Sequence, residues 1–147
     1  MTIPSSIAHG VQQTQEWIKE LRDNADLVDE AEALSVLRSV LHQLRDRLTP
    51  EEAVQLGAQL PVILRGIYYE GWRPSRTPEK VHRTQFLDEV TMKLLPRRIK
   101  PEIAVRDVFA LIAHHCDPNE IADVIDQLPA DLKELWPTTA RTFKART

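Results

Sequence analysis

This 147-residue chain repeats its own pattern of apolar and helix-start positions. Shifted by 68 positions, residues 37–68 lie on residues 105–136 without a gap. Arg38 falls on Arg106, Val40 on Val108, Leu41 on Phe109, Leu44 on Ile112 and Leu48 on Cys116. Pro50 falls on Pro118, Glu52 on Glu120, Gln59-Leu60-Pro61 on Gln127-Leu128-Pro129, Leu64 on Leu132 and Tyr68 on Trp136. One extra residue aligns the leading segments, Trp17-Ile18 with Phe86-Leu87 and Leu21 with Val90. Apolar positions and helix-start signals recur together, so each copy specifies the same supersecondary unit. A unit of ~65 residues is marginal alone, because it buries a small share of its surface. The expectation is two units that share one interface and unfold together: residues 8–72, a linker at 73–77, residues 78–137, and a basic flexible tail at 138–147.

Each unit reads as four helices. Leu34, Leu37, Leu41, Leu44 and Leu48 step by three and four, as do Val105, Val108, Phe109, Ile112 and Cys116. Such spacing lines one side of a helix and leaves charged residues on the other. Thr49-Pro50-Glu51-Glu52 and Asp117-Pro118-Asn119-Glu120 each place a capping side chain, a proline at the first helical position and a glutamate at N3. That glutamate can reach back to the cap. Asp29-x-x-Glu32 is a third such box. The fold class is therefore all-α, two tandem four-helix units packed together, with helices expected at 8–23, 30–47, 50–58, 61–70, 78–95, 101–115, 118–126 and 129–135.

Composition closes other routes. With 42% apolar residues the chain folds. One Cys makes no internal disulfide and no Cys-rich zinc site. The N-terminus lacks a basic start followed by an apolar run, and no apolar stretch approaches the ~20 residues of a spanning helix. The expectation is a cytoplasmic protein with no membrane segment. A net charge of -3 hides a cancellation. Residues 1–64 carry 5 basic and 10 acidic groups, residues 65–106 carry 10 and 5, and residues 107–147 carry 4 and 7.

Three places carry candidate chemistry. His114-His115-Cys116-Asp117 has metal-ligand residue types, but neighbours on a helix point about 100° apart, and Cys116 occupies the place of Leu48. It reads as a buried thiol beside exposed histidines, so no metal site and no cofactor is expected. Tyr68, Tyr69 and Trp72 crowd three of the eight aromatic residues beside Arg65 and Arg73. Tyr, Trp and Arg dominate binding hot spots. Arg65, Tyr69, Trp72 and Arg73 are the candidate interaction patch, with Gly71 ending the helix and Gly66 reserved for close packing or a bend. The basic middle offers Arg76, Lys80, Arg83, Arg97, Arg98 and Lys100 as a possible phosphate-binding stripe. No nucleophile elbow, phosphate loop, His-Glu-x-x-His or dinucleotide fingerprint occurs. Glu79-x-x-His82 has no second copy to complete a di-metal bundle.

The stretch from Leu60 through Arg65-Gly66-Ile67-Tyr68-Tyr69-Glu70-Gly71-Trp72 resembles the centre of the bacterial domain-of-unknown-function 2267 family. Arg83-Thr84-Gln85-Phe86-Leu87 and Gln127-Leu128-Pro129-x-x-Leu132-Lys133-x-Leu135-Trp136-Pro137 resemble it too. The likeness covers residues 11–137 and implies a duplicated all-helical protein, with no catalytic residues to carry over. The function expected is a non-catalytic helical interaction module that binds a protein partner or itself. The alternatives are a nucleic-acid binder acting through residues 65–106, and a metal or small-ligand protein with a cleft between repeats.

Overall fold

The structure is a computed structural model that describes residues 2–144. Its helices begin where capping chemistry allows. Helices α2 (Glu30–Asp46), α3 (Pro50–Gln59) and α7 (Pro118–Asp126) start behind Asp29, Thr49 and Asp117, whose side chains accept from Glu32 N, Glu52 N and Asn119 N. Helix α6 (Pro101–His115) uses proline at its first position instead. Helix α4 (Val62–Tyr69) follows Pro61, and Gly71, at φ +71°, turns the chain away beyond its C-cap. That left-handed conformation is nearly free for glycine alone.

Helix α1 (Ser5–Asn24) starts earlier than residue 8, because the Pro4 carbonyl accepts from both Ile7 N and Ala8 N. The larger departure is α5, which spans Arg83–Leu94 and not 78–95. After a 3₁₀ turn at Pro74–Arg76, the chain runs on without helix to His82. Tertiary contacts hold it: Glu79 N donates to the Asp46 carbonyl at 2.8 Å, Lys80 Nζ to the Gln127 carbonyl at 3.1 Å, and Val81 is buried. Helix α5 is then capped from another element. Asp131, on α8 (Ala130–Lys133), accepts from Arg83 N at 3.0 Å, and this bond holds its carboxyl below the usual range. The tail also differs from expectation. Thr138–Arg141 forms α9 against α7, and Arg141 Nε donates to the Trp136 carbonyl. Arg146 lies outside the described residues.

Among the described residues there is no strand. The core centres on α2 and α6, whose Val36, Leu37, Leu41, Leu44, Val105, Val108, Phe109 and Ile112 are fully buried. Phe109 stacks on Trp136 at 4.1 Å and tilts against Phe86 at 6.2 Å. Helix α1 packs on both α2 and α6, and α5 on both α6 and α2. Helices α3 and α7 meet directly. Elements from before and after residue 73 therefore share one core.

Two hydrogen bonds fasten the α3–α7 junction in matched positions. Gln127 Oε1 accepts from Thr49 N at 2.9 Å, and Gln59 Oε1 accepts from Asp117 N at 3.1 Å. Gln59 and Gln127, like Thr49 and Asp117, are 68 positions apart. The glutamine thus fills the role expected of the N3 glutamate, satisfying the N–H of the cap residue across the junction.

Candidate functional site

The candidate interaction patch is mostly spent within the fold. Arg65 caps the C-terminus of α3: Nε donates to the Gly57 carbonyl at 2.9 Å, and Nη2 to Ala58 and Leu60. A cation suits the negative end of the helix dipole. Tyr69 and Trp72 are half-buried and tilt against each other at 5.4 Å. The Tyr69 ring rests on α3 where Gly57 lacks a side chain, since a Cβ there would lie 2.8 Å from Cζ and closer still to the hydroxyl. Gly57 is therefore the close-packed glycine. Gly66, expected to need close packing or a bend, has nothing within 4 Å of a Cβ and sits inside an uninterrupted α4. Of the patch, Arg73 is the exposed member.

The basic middle divides in two. Arg83 pairs with Glu102 and stands 3.7 Å from Glu134, while Lys80 is bonded to Gln127. Arg83 and Arg106 together hold the Glu102 carboxyl below its usual range, the Arg106 hydrogen bond contributing most. Arg76, Arg97, Arg98 and Lys100 are exposed. The first stands on the 3₁₀ turn, and the other three between α5 and α6.

Cys116 is buried at the end of α6, and burial pushes its thiol up to about 12. It is an inert packing residue, as its alignment with Leu48 predicts. The histidines before it do what adjacent helical residues were expected not to do. His114 Nδ1 lies 2.8 Å from Glu20 Oε1, and His115 Nε2 lies 2.6 Å from Glu20 Oε2. The 100° separation applies to Cβ directions. Each imidazole reaches beyond its Cβ, and the two rings, 4.6 Å apart, each turn a nitrogen to a different oxygen of Glu20 on α1. Trp17, one turn earlier on α1, stacks on His115 at 4.6 Å and 22°. The three ligand-type atoms all lie within 4.8 Å of one another.

A second cluster sits where α3 meets α7. Glu52 is 6% exposed, and its Oε1 has no hydrogen-bond partner. Its carboxyl faces Glu120, with Asp123 beside them. Burial, then the Glu120 hydrogen bond and charge, push Glu52 up to about 7. With its amide turned to suit its neighbours, Gln55 donates to Glu120 Oε1 at 3.0 Å and to Glu52 Oε2 at 3.3 Å. Capping therefore does not account for these glutamates. They meet because two positions that align at the 68-residue offset face each other across one junction.

Sequence reasoning missed Glu20 and the Glu52–Glu120 pair. The signals lie in the two alignments: the leading-helix offset matches Glu20 with Glu89, and the 68-residue offset matches Glu52 with Glu120. An alignment shows that positions correspond, but only packing shows that they touch.

Among the described residues no helix is long and apolar enough to cross a membrane. No curated protein matches the chain. A family model described as "Uncharacterized conserved protein (DUF2267)" matches residues 14–135. That match runs from α1 to the end of the turn that follows α8, most of the chain, and the protein therefore belongs to the DUF2267 family.

Proposed function

We propose that the protein is a non-catalytic helical interaction module that binds another protein surface through α1 and α4. One observation carries this reading. Residues 2–15 and 53–64 hold no Asp, Glu, Lys or Arg, in a chain where such residues make up 28%. The α1 stretch exposes Ile3, Ile7 and Val11, and the second stretch exposes Val54, Val62 and Ile63. Ile7 and Val11 extend the stripe that Thr14, Trp17 and Leu21 bury deeper in the helix, and Ile3 lies just before it. Helices α1 and α4 touch. Charge depletion with clustered apolar side chains is the composition of an interface core. Tyr69, Trp72 and Arg73 lie at the C-terminal end of α4, away from Val62 and Ile63.

The test is association. Ile7→Glu and Val62→Glu alter exposed positions and should leave the circular dichroism and melting temperature unchanged. Each should abolish self-association in sedimentation, or cross-linking to a partner through a photoreactive residue at position 11. A monomer that gains no such cross-link in its native cell extract removes the proposal.

The exposure of Arg97, Arg98 and Lys100 in one loop favours a second reading, phosphate-backbone binding. It requires salt-dependent binding of a labelled oligonucleotide that the Arg97→Glu, Arg98→Glu double variant loses.

A further inference from the structure

We propose that Glu20, His114 and His115 form a binding site for a divalent ion of the zinc type, one that ties α1 to α6. Two imidazole nitrogens on α6 already face the two oxygens of one carboxylate on α1, 94 and 95 residues away in sequence. His114 Nδ1 and His115 Nε2 now stand at hydrogen-bond distance from the two different oxygens of Glu20, 2.8 and 2.6 Å, and with one ligand atom taken from each residue all three lie within 4.8 Å of one another. Ligands ~2.0–2.2 Å from one zinc ion stand within this span of each other. His114 and Glu20 need only small rotations to admit an ion, because both are partly solvent-exposed. His115 needs less freedom, since the Trp17 ring fixes its plane. The three side chains are partly open to solvent, so water would complete the coordination.

Charge points the same way. The site lies on the last turn of α6, whose dipole presents partial negative charge there. Glu20 adds a full one. The aligned positions in the other copy give an independent indication. Glu89 corresponds to Glu20 and Arg47 to His115, and there a buried guanidinium stands 3.9 Å from the carboxylate. A permanent cation answers the glutamate in one copy. In the other, His115 stands in its place with His114 beside it, and a ring nitrogen of each faces the carboxylate. Nitrogen ligands with one carboxylate select zinc, nickel, cobalt or copper over the hard ions magnesium and calcium.

The experiment titrates the full chain with Zn²⁺ alone by calorimetry at pH 7.5, with Mg²⁺ as the control. The prediction is one ion per chain, a higher melting temperature and a changed tryptophan emission as His115 is ligated beside Trp17. Glu20→Gln and His114→Ala should each weaken binding at least tenfold while keeping the metal-free melting temperature within a few degrees. Because zinc displaces protons from its ligands, affinity should fall as pH drops. Added Co²⁺ should show the visible absorption of a nitrogen- and oxygen-ligated ion, lost in both variants. Absence of Zn²⁺ binding, or undiminished binding in Glu20→Gln, overturns the proposal and leaves a histidine–glutamate ion-pair network. Neither result bears on association through the uncharged face of α1 and α4.

Discussion

Replacing Glu52 by Gln should stabilise the protein at neutral and alkaline pH and change little in acid. Glu52 is almost fully buried, faces Glu120 and has one carboxylate oxygen with no partner. Burial and the neighbouring carboxylate raise it from the ordinary 4.5 to about 7. A group whose folded value lies above its unfolded value favours folding while protonated. That contribution is complete below about pH 4.5 and is lost as pH rises toward 7. At about 1.4 kcal/mol for each tenfold change in proton affinity, the loss is about 3 kcal/mol. Glutamine imitates the protonated acid and cannot ionise. Urea unfolding of both proteins, followed by tryptophan fluorescence from pH 4 to pH 8, should show curves that coincide in acid and diverge to about 3 kcal/mol at pH 8. For a chain of this size that divergence corresponds to roughly 6–12 °C in melting temperature. Taking the difference between the two proteins removes titrations they share, such as those of Glu102 and Asp131. A difference that stays flat across this range means that Glu52 holds no extra proton, and the reasoning fails.

Three further outcomes follow from the packing. Gly57→Ala should cost about 1–3 kcal/mol, because the new Cβ meets the Tyr69 ring; Gly66→Ala, facing open space within α4, should gain about 0.5–1 kcal/mol, and thermal melts rank the two. Gln127→Ala removes bonds to both Thr49 N and Thr49 Oγ1 and should cost about 1–2 kcal/mol, more than Gln59→Ala, with calorimetry showing one transition in each variant. Cys116 should resist iodoacetamide at pH 8 in the native protein and react promptly in urea, because its thiol is buried and pushed up to about 12.

Helix starts were legible wherever the signal was local. Thr49-Pro50 and Asp117-Pro118 carry their own cap and fixed φ, and α3, α6 and α7 begin on their prolines. Thr77-Pro78 carries a similar dipeptide but starts no helix, because the Asp46 and Gln127 carbonyls draw the following residues away. The aromatic cluster was legible as a cluster, but not as one turned inward onto Gly57. Arg65 reads in sequence as a binding residue and serves in the structure as a helix cap. In these cases the deciding partner is far away in sequence and carries no mark at the residue it satisfies.

By itself the sequence determined the all-helical class, the apolar faces of α2 and α6, the chain reversal at Gly71 and the place of Cys116 among core residues. Each rests on side-chain periodicity or on backbone preferences acting over a few residues. Only the tertiary structure decided which duplicated positions meet. It brought Glu52 onto Glu120, set Gln127 on the Thr49 cap and Gln59 on the Asp117 cap, and put the Glu20 carboxylate against two histidines whose side chains leave the helix in different directions. Periodicity fixes the direction in which a side chain leaves its own helix, whereas the approach of a second helix decides what that side chain touches.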